Sequence, residues 1–522
     1  MTGALPETPA PPPVRRLLDR IERVLAARDA LAVARDALGS SPTRSPALAA
    51  AWDVLDAEVR GLDGVLAGLY RLVELAEDTW EEPPGDTAAA LGRAVEHTVD
   101  DLGRLTGVLR SLQPVDTRAV VTGWAGAGAE DVYASVAALP VASRRVLALA
   151  EPEAVGSTPG VPWRVRALAN AVRVRRALHR EQVAGTPWSP RIGRLETMLR
   201  RTVDPADGRP VRRAFVAFSP ERTGRMVELV GRVGPGTEAV AVYVPGTGTN
   251  LDMSHVNTDV AVDLVAAGGG RLAVLAFLDG EFPQDIMREA AEARFAERMA
   301  PRLVRFCREV DRVIELECPG AALTVVGHSY GGRIVGYAER LGLRADRVVY
   351  AESPDLGHGV GGPSELRDPA PVRRYTLTAP ADPVELMQLR AGMRRPWSVS
   401  DLADTGVRLD TGRFADGEPV FGTRGHGGVF DRGSGAFEAM LAVMLGGEVP
   451  LWRDREISAR HVTARRGTDG RLLPALWRAA VGLVLRRDDD PYGGPHVTWE
   501  APGRTVRVPA PRPRGGLPED PA

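Results

Sequence analysis

The stretch Val325-Val-Gly-His-Ser-Tyr-Gly-Gly-Arg-Ile-Val335, VVGHSYGGRIV, sets one serine among glycines where a strand-like run gives way to a helix-like one. Upstream, residues 322–326 (ALTVV) are apolar and β-branched; downstream, residues 333–341 have helical spacing. Strand, tight turn and helix is the setting in which a G-x-S-x-G serine is lifted on a strained turn, its Oγ exposed at the carboxyl edge of a sheet. Gly327 and Gly331 offer no Cβ to collide with the strand or the helix. The free N–H groups of the helix start lie close enough to receive an oxyanion. The bare pattern is weak in a chain with 57 glycines, and a plain glycine-rich turn holding a ligand phosphate is the competing expectation.

A serine hydroxyl needs a general base, and in this type of fold the chain order is serine, acid, histidine. His358, His426, His461 and His496 follow Ser329. His426 lies in the glycine-rich loop expected at GTRGHGGVF (422–430), before a helical segment, and is the expected base; His358, in SPDLGHGVGG, is the alternative. The acid should end a strand between serine and histidine. Asp382 does so in RRYTLTAPADP (373–383), although an Asp before a proline is also a common helix cap. Glu352 and Asp355, after the preceding strand, are the other candidates. A second oxyanion donor is expected from VYVPGTGTN (242–250), at the amide of Thr247 or Gly248, with Tyr330 supplying the first; the same stretch would also serve as a structural turn.

Outward from these motifs, short strand-like runs at 213–218, 239–244, 272–277, 322–326, 347–351 and 373–378 alternate with helical runs at 259–267, 285–316, 333–341 and 384–389. A last helix is expected at 437–445. Such alternation predicts βαβ units and a mostly parallel sheet with helices on both faces. Before it, residues 14–203 are helical in period, with breaks at 39–46, 81–86, 156–162 and 185–190. The expected organisation is a leader at 1–13, a helical domain at 14–203, an α/β domain at 204–450, an extension at 451–508 and a tail at 509–522. In the extension a helix is expected at 472–485 and a strand at 496–508.

The chain has 522 residues, 44% hydrophobic and 26% charged, enough for two or three cores. A formal net charge of -2 with interspersed signs argues against nucleic acid as a partner. All 66 basic residues are arginine, which excludes a lysine Schiff base or a Walker-type phosphate loop. Cys307 and Cys318 make no disulfide framework or zinc spacing, and neither metal nor cofactor is expected. No secretory signal or membrane-spanning run is legible, so a cytoplasmic protein is expected.

In order and spacing, VYVPGTGTN, FLDGEFPQD, TVVGHSYGG, TAPADP and GHGGVF resemble the α/β-hydrolase domain of an uncharacterised family from high-GC Gram-positive bacteria. The stretch EAVGSTPGVPWRVRALANAVRVRRAL (153–178) is similar to the same family's linker helix. The resemblance spans about residues 153–446 and implies Ser329, Asp382 and His426 as nucleophile, acid and base. It brings no substrate with it. Three positions depart: Gly427 and Gly428 stand where a serine and an aspartate are usual, and Ala171 where an arginine is. Farther upstream, TGWAGAGAE (122–130), expected between helices at 87–112 and 130–149, is similar to the W-x-G turn of helical-hairpin proteins exported by type VII secretion. Tyr70 and Glu74 match the associated Y-x-x-x-[DE] signal, but ahead of Trp124 rather than after it. A tryptophan packed in a helix corner is the simpler expectation.

The function expected is hydrolysis of an ester, thioester or amide in a small-molecule or lipid-like acyl substrate, through an acyl-enzyme. The alternative is an interaction or secretion-associated protein that docks a helical partner, its hydrolase domain an inactive binding module. Export by a type VII system is the alternative location.

Overall fold

The computed structural model describes residues 115–183, 189–286, 288–357, 372–380, 406–451 and 505–511, with single residues at 56, 360, 366, 382 and 384. Expectations for 1–114, for His358, His461 and His496, for a helix at 384–389 and for most of 451–522 fall outside this set. The chain divides into two compact units, residues 1–187 and 188–522.

In the first unit, α1 (Thr117–Thr122), α2 (Ala129–Ala137), α3 (Val141–Ala150), α4 (Pro152–Ser157) and α5 (Trp163–Val183) follow one another. The single helix expected at 130–149 is in fact two. Pro140 has no N–H to continue the ladder and becomes the N-cap residue of α3. Trp124 packs with Val132, Val136 and Leu147 in the helical core, and its indole N–H donates to Ser135 Oγ at 3.0 Å. In the linker stretch, the Asn170 side chain of α5 donates to the Gly156 carbonyl of α4 at 3.1 Å. A Cβ on Gly156 would stand 2.4 Å from Asn170 Oδ1, so only glycine admits this approach.

The second unit opens with α6 (Pro190–Leu199) and a small hairpin, β1 (Arg201–Val203) with β2 (Pro210–Arg212). The sheet is then built from β3 (Ala214–Ser219), β4 (Arg225–Val230), β5 (Ala239–Val244), β6 (Leu272–Leu278), β7 (Ala322–His328), β8 (Arg347–Ala351), β9 (Arg373–Leu377) and β10 (Gly406–Arg408). These eight strands lie in the order β10-β9-β8-β7-β5-β6-β4-β3. All neighbours are parallel except β4, which runs antiparallel to both β3 and β6. The central strands β5 and β6 are buried at every position, as a sheet covered on both faces requires. β4 was not among the expected strands; its buried Glu228, paired with Arg213, interrupts the apolar run.

The helices that connect and cover these strands are α7 (Ser254–Gly268), α8 (Arg294–Glu317), α9 (Tyr330–Arg340), α10 (Gly422–Gly428) and α11 (Gly435–Leu445). α8 starts nine residues later than expected, because residues 288–291 form a turn before it. Beyond α11, β11 (Glu448–Pro450) pairs antiparallel with β12 (Thr505–Arg507), bringing part of the extension back to the domain. Among the described residues, no helix is long and apolar enough to cross a membrane.

Candidate active site

β7 delivers Ser329 to the carboxyl edge of the sheet, and α9 begins at the next residue. Ser329 has φ 53 and ψ -123, outside the regions comfortable for a residue with a Cβ. Two hydrogen bonds hold the turn: the Ser329 N–H donates to Ala351 O at 3.0 Å, and the Gly332 N–H to Ser329 O at 2.9 Å. The glycines around it are packed to contact. A Cβ on Gly331 would fall 2.1 Å from the Val244 carbonyl oxygen, and one on Gly327 would fall 2.7 Å from Gly332 Cα. The turn is therefore fixed by β5 on one side and its own helix on the other.

His426 Nε2 lies 3.1 Å from Ser329 Oγ. Its Nδ1 lies 2.8 Å from Asp382 Oδ2 and 3.1 Å from Oδ1. Asp382 is fully buried, whereas the His426 side chain is 31% exposed. Oδ1 of Asp382 also accepts the Val384 N–H at 2.7 Å, so the carboxylate caps the following backbone while it faces the imidazole. The three side chains come from three separate segments, and the structure brings all three together.

One local expectation is corrected. His426 is not in a loop but on the short helix α10. Two of its glycines, Gly425 and Gly428, are needed for close approach. A Cβ on Gly425 would meet Ala379 Cβ at 2.5 Å, and one on Gly428 would meet the Phe414 ring at 2.6 Å. A helix slim on these faces fits against the segment that carries Asp382. Gly427, by contrast, has open space around it.

The loop after β5 also reaches the serine: a Cβ on Gly246 would stand 2.8 Å from Ser329 Cβ. Of the two expected amides here, that of Gly248 is engaged, donating to the Pro283 carbonyl at 2.7 Å. A neighbouring polar set holds the loop. Thr249 Oγ1 donates to Gly246 O at 2.7 Å, and Gln284 Nε2 donates to Thr249 O at 2.8 Å.

Of the alternative acids, Asp355 accepts from Nε and Nη2 along one edge of the Arg333 guanidinium, at 2.6 to 3.0 Å. Glu352 is different. It is fully buried, and a Glu352 oxygen, an Asp382 oxygen and a His426 ring nitrogen all lie within 4.8 Å of one another. That spacing also suits a cation, but both His426 nitrogens are already hydrogen-bonded. A metal would have to displace Asp382 or Ser329 from the ring.

His328 escapes a search by chain order because it precedes the serine. Its Nε2 lies 2.8 Å from the His426 carbonyl oxygen, which can only accept, so Nε2 carries the proton. Its ring also meets the Phe430 ring edge-on, with centroids 4.9 Å apart. Burial, with His426 adding to it, lowers the His328 pKa to about 4.

Residues 219–390 match a family model described as Alpha/beta hydrolase. The fold is that of the α/β hydrolases. The match covers less than half the chain; it includes Ser329 and Asp382 and stops short of His426. No curated protein matches the sequence. Similar solved structures include an α/β serine hydrolase without a lid from Xanthomonas campestris, 16% identical, covering 38% of this chain and 84% of that one with a TM-score of 0.24. A dienelactone hydrolase from Anabaena variabilis is 20% identical, covering 37% and 93% with a TM-score of 0.24. A carboxyl esterase from the fungus Tuber melanosporum is 14% identical, covering 45% and 85% with a TM-score of 0.28. Likeness at this distance says nothing of substrate.

Proposed function

We propose that this protein is a serine hydrolase that cleaves a carboxylic ester through an acyl-enzyme intermediate. Thioesters and amides are open to the same chemistry. The observation that carries the proposal is the continuous chain from Ser329 Oγ through His426 to buried Asp382, at 3.1 and 2.8 Å, with the serine held at positive φ.

His426 Nε2 takes the proton of Ser329 as Oγ attacks the substrate carbonyl. Asp382 holds Nδ1–H, fixing the tautomer that leaves Nε2 basic, and its charge stabilises the imidazolium. The tetrahedral oxyanion is received by the Tyr330 N–H at the start of α9, and by the Thr247 N–H, since that of Gly248 is engaged. His426 then gives its proton to the leaving group. It next takes one from a water that attacks the acyl-enzyme, restoring the serine.

Labelling of the purified protein by a fluorophosphonate tests the proposal, with Ser329→Ala as control. Adduct on Ser329 in the native chain and none in the variant is expected; a folded native protein that takes no label overturns it.

A further inference from the structure

Glu352 has no part in the steps above, yet it is built into the site with care. It follows β8 at φ 49, a backbone conformation that residues with a Cβ rarely adopt. Such an outlier persists only where its surroundings over-determine it, and it points toward function. Here the surroundings are the segment that presents Asp382. The Glu352 N–H donates to Leu377 O at 2.8 Å. Its Oε1 accepts the Ala379 N–H at 2.7 Å. The Asp382 N–H in turn donates to Ala379 O at 3.1 Å. Glu352 thus fixes residue 379, and residue 379 fixes the acid.

That bracing alone does not call for a carboxyl group. The Ala379 N–H needs only an oxygen acceptor, which glutamine would supply without burying an ionisable group. The carboxyl instead lies where charge matters, with oxygens of Glu352 and Asp382 and a His426 nitrogen all within 4.8 Å of one another. Both acids are fully buried. A carboxyl group at that distance can oppose the positive charge that develops on His426, as Asp382 does from the other side of the contact.

We infer that Glu352 is a second acid of this site. It is a positioning residue that braces the Asp382 segment and supports the His426 imidazolium when Asp382 carries no charge. The inference rests on the hydrolase proposal and predicts a redundancy that a single-acid triad lacks.

The test is the rate at which a fluorophosphonate labels Ser329 in the full chain. Native protein is compared with Glu352→Gln, Asp382→Asn, the double variant, and Glu352→Asp in the Asp382→Asn background, each with its melting temperature. In a triad with one acid, converting that acid to its amide removes about 10⁴-fold of rate. Here Asp382→Asn is expected to lose only about a hundredfold, and Glu352→Gln about tenfold or less. The double variant should fall to the level of about 10⁴-fold, well below the product of the singles. Glu352→Asp, which keeps the charge, should label faster than Glu352→Gln in the same background. The inference is overturned if Asp382→Asn alone reaches the full loss and neither change at 352 alters it further. Native protein that fails to label at all overturns the hydrolase proposal, and this inference with it.

Discussion

His328 stands beside Ser329 and holds His426, through the bond from its Nε2 to the His426 carbonyl. Its lowered pKa gives it a signature in stability. Folding brings the pKa from 6.5 down to about 4, so the unfolded chain binds this proton more readily than the folded one. The stability His328 contributes is complete above its unfolded pKa of roughly 6.5 and is lost as pH falls through about 4, by a magnitude on the order of 3 kcal/mol. Urea denaturation at pH 7 and pH 5 should show native protein weakening between them, and His328→Gln should flatten part of that slope. Glutamine can still donate to the His426 carbonyl, so its labelling rate should stay within about tenfold of native. His328→Ala removes the donor and should be slower. Equal rates for the two variants would mean that the bond does not position His426.

At the scale of elements, the elbow and the short histidine helix each depend on closeness that only glycine allows. Gly331→Ala would drive a Cβ to 2.1 Å from the backbone of β5, where no side chain can yield. It should destabilise the domain by about 3 kcal/mol or more and is read as a lowered melting temperature. Gly425→Ala should act more locally, pushing α10 away from Ala379 and with it His426 from Asp382. Its expected mark is labelling slowed by about a hundredfold, the scale of an ångström's misplacement in a reacting pair. Gly427→Ser, in open space, should alter neither melting nor labelling measurably. The sequence pattern made Ser329, its flanking glycines and the βαβ alternation readable, because steric rules and hydrophobic period are local. It did not reveal that 422–428 is helical. Four of those seven residues are glycine, intrinsically poor in helices, and the reason for Gly425 and Gly428 is the approach of Ala379 and Phe414, which lie elsewhere in the chain. The engagement of the Gly248 amide and the bond from His328 were hidden for the same cause: their partners are Pro283 and His426, distant in sequence.

At the scale of the whole α/β unit, α9, which follows Ser329, and β9, which leads to Asp382, are joined by a buried ion pair. Arg374 on β9 meets Glu339 on α9 at 2.9 Å, with side chains only 2% and 1% exposed. Tyr350 of β8 also hydrogen-bonds to Glu339. Two charges removed from water and paired gain little over apolar packing of the same volume, so the pair is weak as a source of stability. Its effect is asymmetric, however. Arg374→Met leaves the Glu339 carboxylate without its buried counter-charge and should destabilise the unit by about 3–5 kcal/mol. Arg374→Met with Glu339→Leu restores neutrality and should recover most of that loss in a denaturation experiment. Labelling of Ser329 separates the two consequences. If the pair also sets the spacing of α9 and β9, the double variant will melt near native temperature yet label several-fold more slowly, because the apolar contact fixes no register between helix and strand. Recovery of stability and rate together would reduce Arg374 and Glu339 to neutralising one another.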